Sequence, residues 1–114
     1  MANPADAEVK FDFETLAFES ATEGDEVMAI YEFNNIGQQT LEIEIVSACD
    51  CMEVEWTRTP IPPGGRGKVE IVFDSTGRPG EVSKDIDLIF KNTDRDGYPL
   101  VKRVMLKGNI LPGK

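Results

Sequence analysis

The sequence predicts an all-β domain built as an antiparallel β-sandwich, and three observations carry that reading. Apolar residues mostly alternate with polar ones, the period of a half-buried strand. Clusters rich in Gly, Pro, Asn and Asp interrupt the alternation about every 8–12 residues, the spacing expected of sandwiches. No stretch of about ten residues carries a helical period. The chain has 114 residues, 40% of them hydrophobic, which suits one domain with a real core.

Val9, Phe11 and Phe13 fall on one face of a first strand, with Lys10, Asp12 and Glu14 on the other. After a kink, Leu16 and Phe18 continue the pattern to a polar turn at Glu23-Gly24-Asp25-Glu26. Val27 to Phe33 is the next strand, ended by Asn34-Asn35 and a loop at Ile36-Gly37-Gln38-Gln39. Leu41-Glu42-Ile43-Glu44-Ile45-Val46 alternates most regularly, so Leu41, Ile43 and Ile45 are expected in the core and Glu42 and Glu44 in water. Met52 to Thr57 is shorter and carries Val54 and Trp56 on one face. Pro60, Pro62 and Pro63, with Gly64, Gly65 and Gly67, exclude regular structure before Lys68. Val69, Ile71 and Phe73 then alternate, and a turn cluster from Asp74 to Gly80 leads into Ile86, Leu88 and Phe90. Asp96-Gly97 sits in a hairpin connection running from Lys91 to Tyr98. Val101 to Leu106 closes the set, and the residues from Gly108 read as a tail.

That makes about seven or eight strands. Cys49 and Cys51 lie two apart, so the inter-sheet disulfide of antibody domains cannot form. The expectation is an immunoglobulin-like antiparallel β-sandwich with no inter-sheet disulfide. It occupies 9–111, between a flexible N-terminal segment, 1–8, and a C-terminal tail, 112–114.

Composition excludes several chemistries. With no His there is no Ser-His-Asp triad, no Cys-His pair and no His-ligated metal. Twenty-one acidic against twelve basic residues, a net charge of −9, disfavour nucleic acid and anionic lipid as partners. Met1 to Ala7 lacks a basic start and an apolar run, so it is neither a signal peptide nor a membrane span. Two readings stay open: a cytoplasmic protein, or a mature or excised domain.

Cys49-Asp50-Cys51 is the pair with the most chemical potential. In one extended strand the two Cα atoms would lie about 6.6 Å apart on the same face. A disulfide needs Cβ atoms about 3.8 Å apart, hence a bend at Asp50. Two thiolates could instead chelate a soft ion such as Cu(I), with the Met52 thioether as a third ligand. Zn(II) would want four ligands, which one chain does not supply. Packing weighs more than either reading, because the alternation from Leu41 puts both Cys on the core side, where free Cys behaves as a small apolar group. No cofactor is implied.

Asn92-x-Asp94-x-Asp96-Gly97 resembles half of a calcium loop, but the position that needs a bidentate Glu is Arg103, in a strand. An ordinary polar hairpin explains the same residues. Glu42, Glu44, Asp50, Glu53 and Glu55, with Asp85 and Asp87, read as solvated strand faces that discourage edge pairing rather than as a catalytic pair. Trp56 is expected to anchor the core; if exposed, it is the first interaction candidate.

Three stretches together carry a family resemblance. They are Phe11-x-Phe13-x-Thr15-Leu16 with Glu23-Gly24-Asp25; Tyr31-Glu32-Phe33-Asn34-Asn35-Ile36-Gly37 running into Leu41 to Cys51; and Ile61-Pro62-Pro63-Gly64 with Val69 to Ser75, Gly80, Lys84 and Leu106-Lys107-Gly108. In order and spacing the chain resembles the bacterial domain-of-unknown-function family 1573, whose domains are similar to the immunoglobulin-like domains of Hydin, the ASH group and major sperm protein. Cys49-Asp50-Cys51-Met52 departs from the family's usual Cys-Gly-Cys-Thr, and the spacing from Thr15-Leu16 to Glu23-Gly24 is a few residues longer. The resemblance implies a secreted, periplasmic or lipid-anchored bacterial protein, hence an expected place in the periplasm or on the cell surface, and supplies no activity.

The expected function is therefore a non-enzymatic structural or interaction module of the bacterial envelope. It would take protein partners through loops or by strand addition at an open edge such as Val9 to Phe13, with no nucleic acid and no membrane insertion. The alternative is a Cu(I)-binding or thiol redox module using Cys49, Cys51 and Met52.

Overall fold

The computed structural model describes residues 7–94 and 96–113. Most of the expected N-terminal segment and the final Lys114 lie outside the described residues. Nine strands follow in chain order: β1 (Val9–Phe11), β2 (Thr15–Ala17), β3 (Ala21–Thr22), β4 (Glu26–Asn35), β5 (Ile43–Ser47), β6 (Met52–Trp56), β7 (Arg66–Asp74), β8 (Gly80–Thr93) and β9 (Pro99–Leu111). They form a four-stranded sheet in the order β1-β4-β7-β6 and a five-stranded sheet in the order β2-β9-β8-β5, with β3 also on β9. The expected all-β immunoglobulin-like sandwich is what forms.

The first run of the chain divides into three short strands because it serves both sheets. β1 pairs antiparallel with β4, from Val9 opposite Asn35 to Phe11 opposite Phe33. The chain then crosses, and β2 and β3 lie parallel to β9 in the other sheet. Phe13 is therefore not the third residue of a core-facing stripe: it sits at the crossing and is 67% exposed.

The inward faces carry Phe11, Tyr31, Phe33, Val69, Ile71 and Phe73 from one sheet and Val82, Ile86, Leu88, Phe90, Val104, Leu106 and Ile110 from the other, all buried. Phe33 links the layers, tilted against Phe11 at 5.2 Å between ring centroids and edge-on to Phe90 at 6.2 Å. Gly67 on β7 makes room for this contact, since a Cβ there would be driven into the Phe33 ring and Ile61.

Two local expectations are corrected. On β5 the register shifts between Ile43 and Ile45, so Ile45 turns outward and Val46 is buried in its place. The residues after Gly108 are no tail: β9 continues to Leu111, with Ile110 buried opposite Gly80.

The polar motif residues pin the corners. Asn35 is buried; its Nδ2 donates to the carbonyls of Gln39 and Ile61 at 2.7 and 2.9 Å, and its Oδ1 accepts the Gly37 N–H. Ile61 in turn exchanges both backbone bonds with Leu41. The buried Ser75 hydroxyl donates to the Asp25 carbonyl at 2.6 Å and accepts the Gly24 N–H, closing a turn in which Gly24 holds φ +101°. Asn35 and Ser75 thereby satisfy backbone groups that would otherwise be left unpaired at these corners.

Candidate functional site

The residues singled out for chemistry are mostly dispersed or already committed. Cys49 and Cys51 are not free packing thiols: they form a disulfide, with Cα atoms 5.2 Å apart. The bend at Asp50 that this geometry needs is a turn closed by the Met52 N–H on the Cys49 carbonyl at 3.1 Å. Bonded to each other, the sulfurs present no thiolate pair to Cu(I) in this state. Met52 packs with the core cluster. No group of three or more His, Cys, Asp or Glu able to hold a metal ion occurs among the described residues.

The Asp94 carboxylate is spent on its own turn. Asp94 Oδ1 accepts the N–H groups of Asp96 and Tyr98 at 2.9 and 3.0 Å, and Gly97 takes φ +87°. Asn92 ties this hairpin to the segment that leads into β5, accepting the Glu42 N–H and donating to the Thr40 carbonyl. The acidic residues do not share one face: Glu44 is on β5 and Glu53 and Glu55 on β6, in different sheets. Asp85 and Asp87 pair with Arg103, at 3.5 and 2.8 Å. Trp56 is only half-buried; the Arg58 guanidinium lies 3.7 Å from its ring centroid, and its Nε1 is buried without a hydrogen-bond partner. It packs against the core cluster from its margin instead of anchoring the interior.

The feature with most capacity for recognition lies at an edge the sequence reading did not single out. β1 pairs only with the last three residues of β4, and one further bond runs from the Asp12 N–H to the Glu32 carbonyl. Below that point no described strand pairs with this side of β4. In an antiparallel ladder each residue sends its N–H and C=O to the same side, alternating along the strand. Glu32 faces the β1 side while Asn35 bonds Gly65, so Met28 and Ile30 present their backbone groups to the open side.

Beside this open backbone runs an apolar groove of about 400 Å³ between the two sheets. Leu16, Ala17 and Phe18 form one wall and Val27 to Ile30 the other, with Leu106 at the base. Phe18 is seated there by Gly108, whose missing side chain leaves room for its ring. Met28 and Ile30 are 71% and 49% exposed. The exposed carboxylates of Glu14 and Glu19 flank β2, and Glu26 opens β4. A sequence signal did exist: Val27-Met28-Ala29-Ile30-Tyr31 is an unbroken apolar run, the pattern of a strand meant to be covered on both faces.

The fold is similar to that of the ASH/PapD-like domain of human CEP192 (PapD-like domain 7), with a TM-score of 0.72 at 15% identity, covering 100% of this chain and 92% of that one. It is similar to a protein of unknown function from Porphyromonas gingivalis, with a TM-score of 0.70 at 20% identity, over 95% of this chain and 49% of that one. It is similar to WR4, a C. elegans member of the MSP family, with a TM-score of 0.58 at 14% identity, over 90% and 96% of the two chains. At such identities the likeness is one of fold. No curated protein matches the chain in sequence. Residues 9–110, from the start of β1 almost to the end of β9, match the family described as "Protein of unknown function (DUF1573)", and the chain belongs to that family.

Proposed function

We propose that this domain is a non-enzymatic interaction module of the bacterial cell envelope that accepts an extended segment of a protein partner as an added strand along the open side of β4. The observation that carries the proposal is the coincidence of exposed backbone groups at Met28 and Ile30 with the apolar groove beside them. Strand addition needs both: main-chain bonds supply affinity, and pockets for alternate side chains supply specificity. The carboxylates of Glu14, Glu19 and Glu26, on a chain of net charge −9, favour a segment whose apolar residues alternate with Lys or Arg.

Two observations support the rest of the reading. The carboxylates stand on exposed strand faces or in exposed ion pairs, which suits solvation rather than acid–base work in a cleft. The Cys49–Cys51 disulfide at rest fits an oxidising compartment such as the periplasm.

The test uses two synthetic peptides, one alternating Val with Lys and one alternating Val with Glu. Hydrogen exchange is followed at the amides of Met28 and Ile30. The Lys peptide is expected to protect both amides and the Glu peptide neither. Protection elsewhere, no protection, or equal protection by both peptides would refute the proposal.

A further inference from the structure

We propose that Cys49–Cys51 is a thiol–disulfide exchange site, with Cys49 as the sulfur that reacts and Cys51 as the one that resolves. This goes beyond the strand-binding reading and does not depend on it. Three features of the corner between β5 and β6 point the same way.

The first is that the bond contributes little as a staple. A cross-link between residues two apart closes the smallest of loops, and the entropy removed from the unfolded chain grows with loop length. The corner is also held without it, by the Met52 N–H on the Cys49 carbonyl and the Asp74 N–H on the Cys51 carbonyl at 2.9 Å. The fold is therefore expected to survive opening of the bond.

The second is asymmetry of access. β5 and β6 are the outer strands of their sheets, so no further described strand covers the turn that joins them. Cys51 is 5% exposed and belongs to the core, whereas Cys49 is half-buried at its margin. An incoming thiolate meets Cys49 first.

The third is electrostatic. The Cys51 N–H donates to Cys49 Sγ at 3.2 Å. Access decides the first attack; this N–H then stabilises the Cys49 thiolate when it departs from the mixed disulfide, and in the reduced protein it makes Cys49 the prepared nucleophile.

The reductant is an external dithiol. Its first thiolate attacks Cys49 Sγ, the Cys49–Cys51 bond breaks, and the electron pair leaves on Cys51, which takes up a proton. The second thiol of the reductant then attacks its own sulfur bound to Cys49, and Cys49 departs as a thiolate and is protonated. The reductant becomes a cyclic disulfide and the protein gains two hydrogens; run backwards, the same steps oxidise the protein and reduce the partner.

The experiment exposes the native chain to dithiothreitol and reads the alkylated mass, with the Trp56 fluorescence reporting the fold. Reduction without denaturant and with an unchanged spectrum is expected; reduction only as the protein unfolds would overturn the proposal. In parallel, Cys51→Ser and Cys49→Ser are reacted with dithiodipyridine. Cys49 in the first variant should react at least about ten-fold faster than Cys51 in the second, following access to the sulfur. Equal rates, or the reverse order, would overturn it. Should a variant fail to fold, the mixed disulfide of the wild-type chain is trapped by acid and located by fragmentation at Asp50: on Cys49 it supports the proposal, on Cys51 it refutes it.

Discussion

The Tyr31 hydroxyl, on β4, donates to the backbone carbonyl of Met105, on β9, at 2.7 Å, joining the two sheets through the interior. Burial holds the Tyr31 pKa up to about 12, against an ordinary 10.0. Tyr31→Phe keeps the ring and strands the carbonyl, so it should cost about 1–3 kcal/mol. A urea titration should show a lower midpoint at unchanged slope. Because the folded-state pKa is the raised one, the Tyr31 contribution is complete below pH 10 and is lost as pH climbs towards 12. That alkaline loss should be smaller in Tyr31→Phe.

Asn35 offers a sharper contrast. Its Nδ2 faces two carbonyl oxygens, so Asn35→Asp replaces a donor with a carboxylate among acceptors. The expected cost at neutral pH is about 3 kcal/mol or more, the penalty of a buried charge lacking donors. Protonation restores one donor, so the deficit should shrink on acidification. Thermal unfolding at neutral and acid pH measures both.

Gly108 and Phe18 should behave as one unit. Gly108→Ala drives a Cβ into the Phe18 ring, and moving it should cost about 1–3 kcal/mol. In a Phe18→Ala background the same change should cost little. The coupling energy from that double-mutant cycle is the measurement.

Proline substitutions separate the two sides of β4. Met28→Pro removes an N–H that points to the open side, leaving the pairing with β7 intact. Ala29→Pro removes a ladder donor opposite Ile71 and leaves a backbone acceptor unpaired, so it should be the more destabilising by about 1–3 kcal/mol. Circular dichroism melts should rank them so, and Met28→Pro should also abolish binding of the Lys-alternating peptide.

Much of the fold was legible because alternation and turn residues depend on neighbours in sequence. Phe33, Val69, Ile71, Phe73, Leu88 and Phe90 all face the core as their alternation requires. The failures arise where the answer depends on partners far along the chain. Ile45 and Val46 exchange faces because the register with β8 slips, and Phe13 is exposed because its strand changes sheets. Cys49 and Cys51 bond because a turn replaces the extended chain assumed for them. The groove beside Met28 was hidden for a related reason: how far β1 covers β4 is a matter of tertiary pairing. Only the unbroken run from Val27 to Tyr31 hinted at it.

The position of β9 has a consequence for biosynthesis. The last strand of the domain in chain order is an inner strand of its sheet, with β8 on one side and the early strands β2 and β3 on the other. Such distant pairings slow folding, because the chain loses the entropy of a long loop before the contacts repay it. A nascent chain on the ribosome can therefore assemble the β1-β4-β7-β6 sheet while β2, β3 and β8 still wait for their common partner. Emergence of β9, rather than collapse of the strands before it, should be the event that commits this domain to its native state.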